Sequence, residues 1–277
     1  MSGYIILENV PEEEVQVRID LSSYQELPED FMGFCDVPPG LHYVSITTQN
    51  QTHSFWHYLR SDQMFVKFFS KFDQEFLDDE YRDQAEATAR YQKHLAVRLL
   101  KEEQLIPYNY RRSGSWLQLI CDIIPSYFPV TLHTSPQSQS PSVPSSPEWE
   151  KEVFETHKGN FRSFIVELQF AFVCWYVSDL DSPTPDLEAF NRWKYLVETT
   201  CNADLSSLAK ASDLVNVVAS TLTLEFNSLD DSLLPFNDPL IAAARRLQEK
   251  MIGGEIPQWV SDGQKLKTYL DERYQSS

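Results

Sequence analysis

The sequence predicts an α+β protein, with a β-rich N-terminal domain followed by an all-helical C-terminal domain. Three observations carry this. The run Glu14-Val15-Gln16-Val17-Arg18-Ile19-Asp20 alternates polar and apolar residues, as a half-buried strand requires. From residue 79 the apolar spacing lengthens to three or four residues, the period of a helix. A Ser/Pro/Gln-rich stretch over 131–147 then divides the chain, and every segment beyond it reads as helical.

Residues 4–8, 41–47, 54–59 and 64–69 are rich in aromatic and β-branched side chains and read as further strands. Pro38-Pro39-Gly40 marks a turn before one of them. Residues 79–104 contain neither Gly nor Pro, and Tyr81, Ala85, Thr88, Gln92, Leu95, Leu99 and Ile106 follow helical steps. The spacing predicts one long amphipathic helix that ends before Pro107. A short helix over 115–124, closed by Pro125, completes a domain over 1–130.

Residues 131–147, TLHTSPQSQSPSVPSSP, hold few groups able to build a core and read as a linker. Helices are expected over 148–157, 160–177, 186–199, 204–226, 239–251 and 263–274, within a domain over 148–277. Their short connections favour antiparallel neighbours.

Composition narrows the function. The net charge is −18, and each half, divided at residue 130, stands at −9: 20 acids against 11 bases before it, 21 against 12 after. Neither half has the basic stripe that phosphate binding needs, so direct contact with nucleic acid or an anionic membrane is disfavoured. The 8 glycines against 16 prolines count against Gly-rich phosphate loops. Cys35, Cys121, Cys174 and Cys201 lie far apart and read as buried free thiols of a reducing compartment. The start of the chain does not read as a signal peptide. The apolar run 161–177, interrupted by Arg162, Glu167 and Gln169, reads as too polar to span a membrane. A cytoplasmic and nuclear location is expected.

Chemistry-bearing patterns are sparse. No phosphate-loop, dinucleotide, zinc-protease or nucleophile-elbow motif is present, and no cofactor or metal ligand set is read. His53 and His57, on one face of a strand, would lie about 13 Å apart, too far to share a metal. Glu167, inside the apolar FIVELQFAFV, is expected to be a structural carboxylate held by Arg, Trp or backbone donors. A catalytic role would need a His, Lys or Cys partner, and none is seen at useful spacing. His42 is read as a hydrogen-bonding side chain that fixes the Pro38-Pro39-Gly40 turn. Trp175 and Trp193 fall at core positions, whereas Trp149, at the linker edge, is read as a partner contact. Arg111-Arg112 reads as a solvated turn, with partner contact as its functional alternative. Ser135, Ser140 and Ser146 each precede proline and are candidate phosphorylation sites.

Three segments together resemble one family. The first runs from Val10-Pro11 through Arg18-Ile19-Asp20 to Phe31-Met32-Gly33-Phe34-Cys35-Asp36-Val37-Pro38-Pro39-Gly40-Leu41-His42-Tyr43-Val44. The second is Pro107-Tyr108 with Trp116-Leu117-Gln118-Leu119. The third is Glu167-Leu168-Gln169-Phe170-Ala171-Phe172-Val173-Cys174, followed by Ala189-Phe190-Asn191-Arg192-Trp193-Lys194 and Cys201. This set is similar to the cistron-splicing factors, assembly factors of the U5 snRNP, and covers roughly residues 4–250. Arg18 stands where that family often has Gly.

The resemblance implies a non-enzymatic binding factor with a β-rich domain and a helical domain similar to VHS domains. Its implied partner is the large U5 scaffold protein, met through RNase H-like and Jab/MPN domains, with premature helicase binding blocked. Asp20, Pro38, Pro39, Gly40, His42, Glu167, Gln169 and Trp193 are then structural motif residues of a monomer. A helical adaptor in trafficking or signalling is the other reading, but it calls for a basic ligand groove or clathrin-type motifs, and the sequence shows neither.

Overall fold

The computed structural model describes residues 2–11, 15–48, 51–73, 75–77, 98, 103–126, 146–181, 185–230, 233, 238–254 and 256–274. They fall into two compact units, Met1–Leu117 and Gln118–Ser277. The expected helix over 79–104 lies almost wholly outside the described residues. So does the linker over 131–147, apart from Ser146 and Pro147.

The first unit holds two sheets. One has the order β8-β7-β1-β4-β9, built from β1 (Gly3–Glu8), β4 (Gly33–Val37), β7 (Met64–Ser70), β8 (Glu75–Phe76) and β9 (Leu105–Pro107). The other has the order β3-β2-β5-β6, built from β2 (Gln16–Ile19), β3 (Ser22–Tyr24), β5 (Gly40–Thr47) and β6 (Thr52–Leu59). The period-two segments are all strands. In β2, Val17 and Ile19 are buried with Val44, Ile46, Phe34, Ile5 and Leu59 in one core.

Two strands depart from the sequence reading. Leu105–Pro107 was expected to end a helix, but it pairs in parallel with β4, Ile106 opposite Phe34. Three residues are too few to announce a strand, and the partner that makes them one is 72 residues away. β4 was likewise unmarked. It pairs antiparallel with β1, Ile6 opposite Gly33. At Gly33 (φ +128°) an added Cβ would lie 2.2 Å from the Ile5 carbonyl oxygen, so only glycine lets the strands meet there.

The short helix α1 spans Gly114–Leu119, ending earlier than expected. The second unit is helical throughout its regular elements: α2 (Ser146–Glu150), a π-helix (Lys151–Thr156), α3 (Phe161–Asp181), α4 (Leu187–Asn202), α5 (Leu205–Ala209), α6 (Ser212–Ser228), α7 (Pro239–Gly253) and α8 (Pro257–Arg273). The expected helix over 204–226 is two helices, broken at Lys210 and Ala211. Asp186, Asp204 and Asp238 cap α4, α5 and α7, accepting hydrogen bonds from Ala189 N at 2.9 Å, Ser207 N at 2.8 Å and Leu240 N at 2.8 Å.

The far ends are held across the bundle. Lys250 of α7 donates to the Cys201 and Ala203 carbonyls at the end of α4 (2.8 and 2.7 Å), and Arg245 reaches Leu270 and Tyr274 oxygens at the end of α8 (3.2 and 3.0 Å). Arg273 of α8 reaches Asn227 and Leu229 oxygens at the end of α6. Each cation bonds carbonyls at a helix C-terminus, where the helix dipole is negative.

Helix α3 is the apolar centre. Contrary to the sequence expectation, it is long and apolar enough to cross a membrane by length and composition, with a mean hydropathy of 1.3 over its best 18 residues. Most of that window is packed inside the unit. Trp193 of α4 stacks on Trp175 of α3 with centroids 5.3 Å apart, and its ring also meets Phe172 and Phe226.

Candidate functional site

The helical unit closes around a buried charged cluster. Arg192 of α4 donates through Nε to Glu167 Oε1 of α3 at 2.8 Å and through Nη2 to Glu152 Oε1. His157 Nε2 lies 3.3 Å from an oxygen of each carboxylate, and its Nδ1 meets Ser163 Oγ at 3.1 Å. All four side chains are buried. Burial alone would raise the Glu152 pKa. Hydrogen bonds and charge from His157 and Arg192 outweigh it and hold the carboxyl below its ordinary value.

A change of helix type assembles this cluster. Glu152 and His157 are five residues apart, and on an α-helix of 3.6 residues per turn they would point to different sides. The π-helix widens the turn, with His157 N bonded to Glu152 O at 3.0 Å. That i→i+5 turn brings both side chains toward Arg192.

The β-rich unit has its own buried acid. Asp20 follows β2 at φ +53°, a conformation Asp tolerates. Its Oδ2 accepts from Tyr108 OH at 2.7 Å and faces His42 Nδ1 at 2.8 Å, while Oδ1 accepts from Tyr43 N at 3.0 Å. His42 Nε2 meets the Pro38 carbonyl at 2.7 Å, so His42 does contact the turn that the sequence assigned to it. Gln169 clamps the segment after α1: its Oε1 accepts from Asp122 N at 3.2 Å and its Nε2 donates to Asp122 Oδ2 at 3.1 Å.

A family model described as the AAR2 N-terminal domain matches residues 1–130, and one described as the AAR2 C-terminal repeat region matches residues 148–276. The chain belongs to the AAR2 family. Membership of the AAR2 family places the protein in spliceosomal U5 snRNP assembly, with a spliceosomal protein as partner. The AAR2 family is one of assembly factors, not of known enzymes. No curated protein matches the chain.

Several site expectations change. Trp149 is not a surface anchor: it is fully buried, packs edge-on against Phe164 at 5.6 Å, and donates from Nε1 to Ser207 O at 3.4 Å. A Trp beside a polar linker reads as exposed only until the bundle it caps is known. Ser146 is not a free linker residue. It opens α2, and its Oγ accepts from Asp204 N at 2.8 Å; Ser135 and Ser140 lie outside the described residues. Cys121 is exposed and Cys174 half-buried, whereas Cys35 and Cys201 are buried as expected, and all four are free. Glu167 does have a histidine beside it.

Arg111 and Arg112 are exposed on a turn, their backbone N–H groups bonded to Asn109 Oδ1 at 3.2 and 3.1 Å. His57 stacks on Phe65. The sequence reading missed Glu225 of α6. It is wholly buried, and its Oε2 accepts from Trp193 Nε1 at 2.9 Å. Burial pushes this carboxyl well above the ordinary range, and the Trp193 hydrogen bond offsets only part of that. Among the described residues no group of three or more His, Cys, Asp or Glu side chains is placed to hold a metal.

Proposed function

We propose that this chain is a non-enzymatic factor that binds the large U5 scaffold protein through its RNase H-like domain, and through its Jab/MPN domain, so that the U5 helicase does not join early. The observation that carries this is the match of both AAR2 models, in order and over nearly the whole chain. The buried acids support it. Each is held by donors that fix helices or strands to one another, an arrangement suited to a rigid binding surface. A net charge of −18 would speed encounter with a basic protein face. The protein acts as a monomer, without cofactor, nucleic acid or membrane, in cytoplasm and nucleus.

The test is direct binding of the full chain to the isolated RNase H-like and Jab/MPN domains, followed by competition with the helicase. Saturable binding to either domain, with helicase displaced in proportion, is the expected result. No binding to either, with retention on the intact scaffold, moves the contact elsewhere and removes the domain assignment.

A further inference from the structure

The Asp20 cluster makes a demand on protons that its hydrogen bonds state plainly. His42 is completely buried. Its Nε2 faces a backbone carbonyl, Pro38 O at 2.7 Å, which can only accept. Its Nδ1 faces Asp20 Oδ2 at 2.8 Å, and that oxygen already accepts from Tyr108 OH at 2.7 Å. A neutral imidazole has one N–H and one bare nitrogen. With Asp20 ionised, the bare nitrogen would face either a carbonyl or a carboxylate, lone pair against lone pair, in a buried site.

We propose that His42 is a resident imidazolium, and that His42 and Asp20 form a buried ion pair whose proton locks the β-rich unit and is released under alkaline conditions. Both ring nitrogens then donate, and Asp20 accepts from His42, Tyr108 OH and Tyr43 N together. The lock joins three remote pieces of chain: the turn after β2, the Pro38-Pro39-Gly40 crossing from β4 in one sheet to β5 in the other, and the segment after β9. Burial by itself pushes the His42 pKa down, but the Asp20 charge and the two hydrogen bonds reverse this and leave it above the ordinary histidine value.

The surrounding charges do not replace Asp20. The Tyr108 ring packs edge-on to His42 at 5.8 Å and meets Tyr110 at 5.1 Å, and burial and Asp20 raise the Tyr108 phenol far above its usual range, so it stays a donor. Across β6, His57 is the register partner of His42, and its ring stacks on Phe65. From β3, Tyr24 feels both Asp20 and Arg112. Tyr110 OH donates to the Asp36 backbone carbonyl at 2.8 Å, while the exposed Asp36 carboxylate accepts from Ser2 Oγ at 3.4 Å.

A raised folded pKa means the stabilisation is complete below the unfolded histidine pKa, about 6.5, and is lost as pH rises through the folded value. The experiment is nitrogen-15 and proton NMR of histidine-labelled full chain from about pH 6 to about pH 10. The expected result is two protonated ring nitrogens on His42 at neutral pH, with slowly exchanging N–H protons. Loss of the proton at alkaline pH should coincide with faster exchange of the Tyr43 amide.

One protonated nitrogen at neutral pH in the intact protein overturns the proposal, whichever nitrogen it is. Tyr108→Phe supplies a second arm with little risk to folding. It removes the donor that shares Asp20 Oδ2 with His42 and should move the His42 transition to higher pH. An unmoved transition in a folded Tyr108→Phe protein means Asp20 does not hold the proton, and it overturns the proposal as well.

Discussion

Both units bury acids, but they keep them in different company. In the β-rich unit one carboxylate, Asp20, meets one histidine, one phenol and one backbone N–H. In the helical unit two carboxylates, Glu152 and Glu167, divide the fork of one guanidinium and flank one histidine. A third acid, Glu225, has the Trp193 indole as its hydrogen-bond donor among the described residues, and its second oxygen meets none of them. Donors thus decide what burial does. Where cations are supplied the acid stays ionised, as at Glu152, and where only a neutral N–H is supplied the pKa rises, as at Glu225.

Variants can break this comparison at its strongest point first. Arg192→Met should remove the single guanidinium between two buried carboxylates and destabilise the helical unit by about 3–5 kcal/mol, measured by denaturant unfolding of the full chain with a probe in that unit. A loss below about 1 kcal/mol would mean the cluster behaves like an exposed ion pair. Glu167→Ala leaves Arg192 still bonded to Glu152, so the expected loss is smaller, about 1–3 kcal/mol. A Glu167→Ala protein of unchanged stability that no longer binds its partner would falsify the structural role.

Glu225→Gln has the opposite sign. The folded pKa is raised, so Glu225 stabilises the fold fully below the unfolded carboxyl pKa of about 4.3, and that contribution is lost as pH rises toward the folded value. Glutamine keeps an acceptor for Trp193 and cannot ionise. The variant should therefore gain about 1 kcal/mol or more at neutral pH and flatten the pH dependence of unfolding above about pH 4. A variant that tracks the parent at every pH shows that the acid does not unfold into its ionised form.

The smallest effect belongs to the exposed pair. Arg111→Ala with Arg112→Ala should change stability by less than about 0.5 kcal/mol, because both side chains are exposed and the turn is held by their backbone N–H groups, which the substitutions keep. If the pair meets the partner, affinity drops and the drop shrinks at higher salt. Equal affinity at low and high salt leaves the pair a solvated turn.

Legibility followed the range of the interaction. Val17 and Ile19 announced β2 because period two is written within seven residues, and the helices were legible because their apolar residues recur every three or four positions. Chain order also sufficed for family membership, since its motifs are contiguous runs. Glu167 could be flagged as needing a donor, because an acid in FIVELQFAFV has no water to turn to.

Which donor it takes is another matter. Arg192 is 25 residues away, and His157 reaches the site only because residues 151–156 wind as a π-helix, a choice that propensity does not write. Tyr108 and Asp20 are 88 residues apart. Trp149 looked exposed because its neighbours in sequence are polar, while its neighbours in space are Phe164 and the carbonyl of Ser207. Periodicity is a local term and can be read from the chain. Burial and pairing depend on which distant residues share a volume, and only tertiary packing decides that.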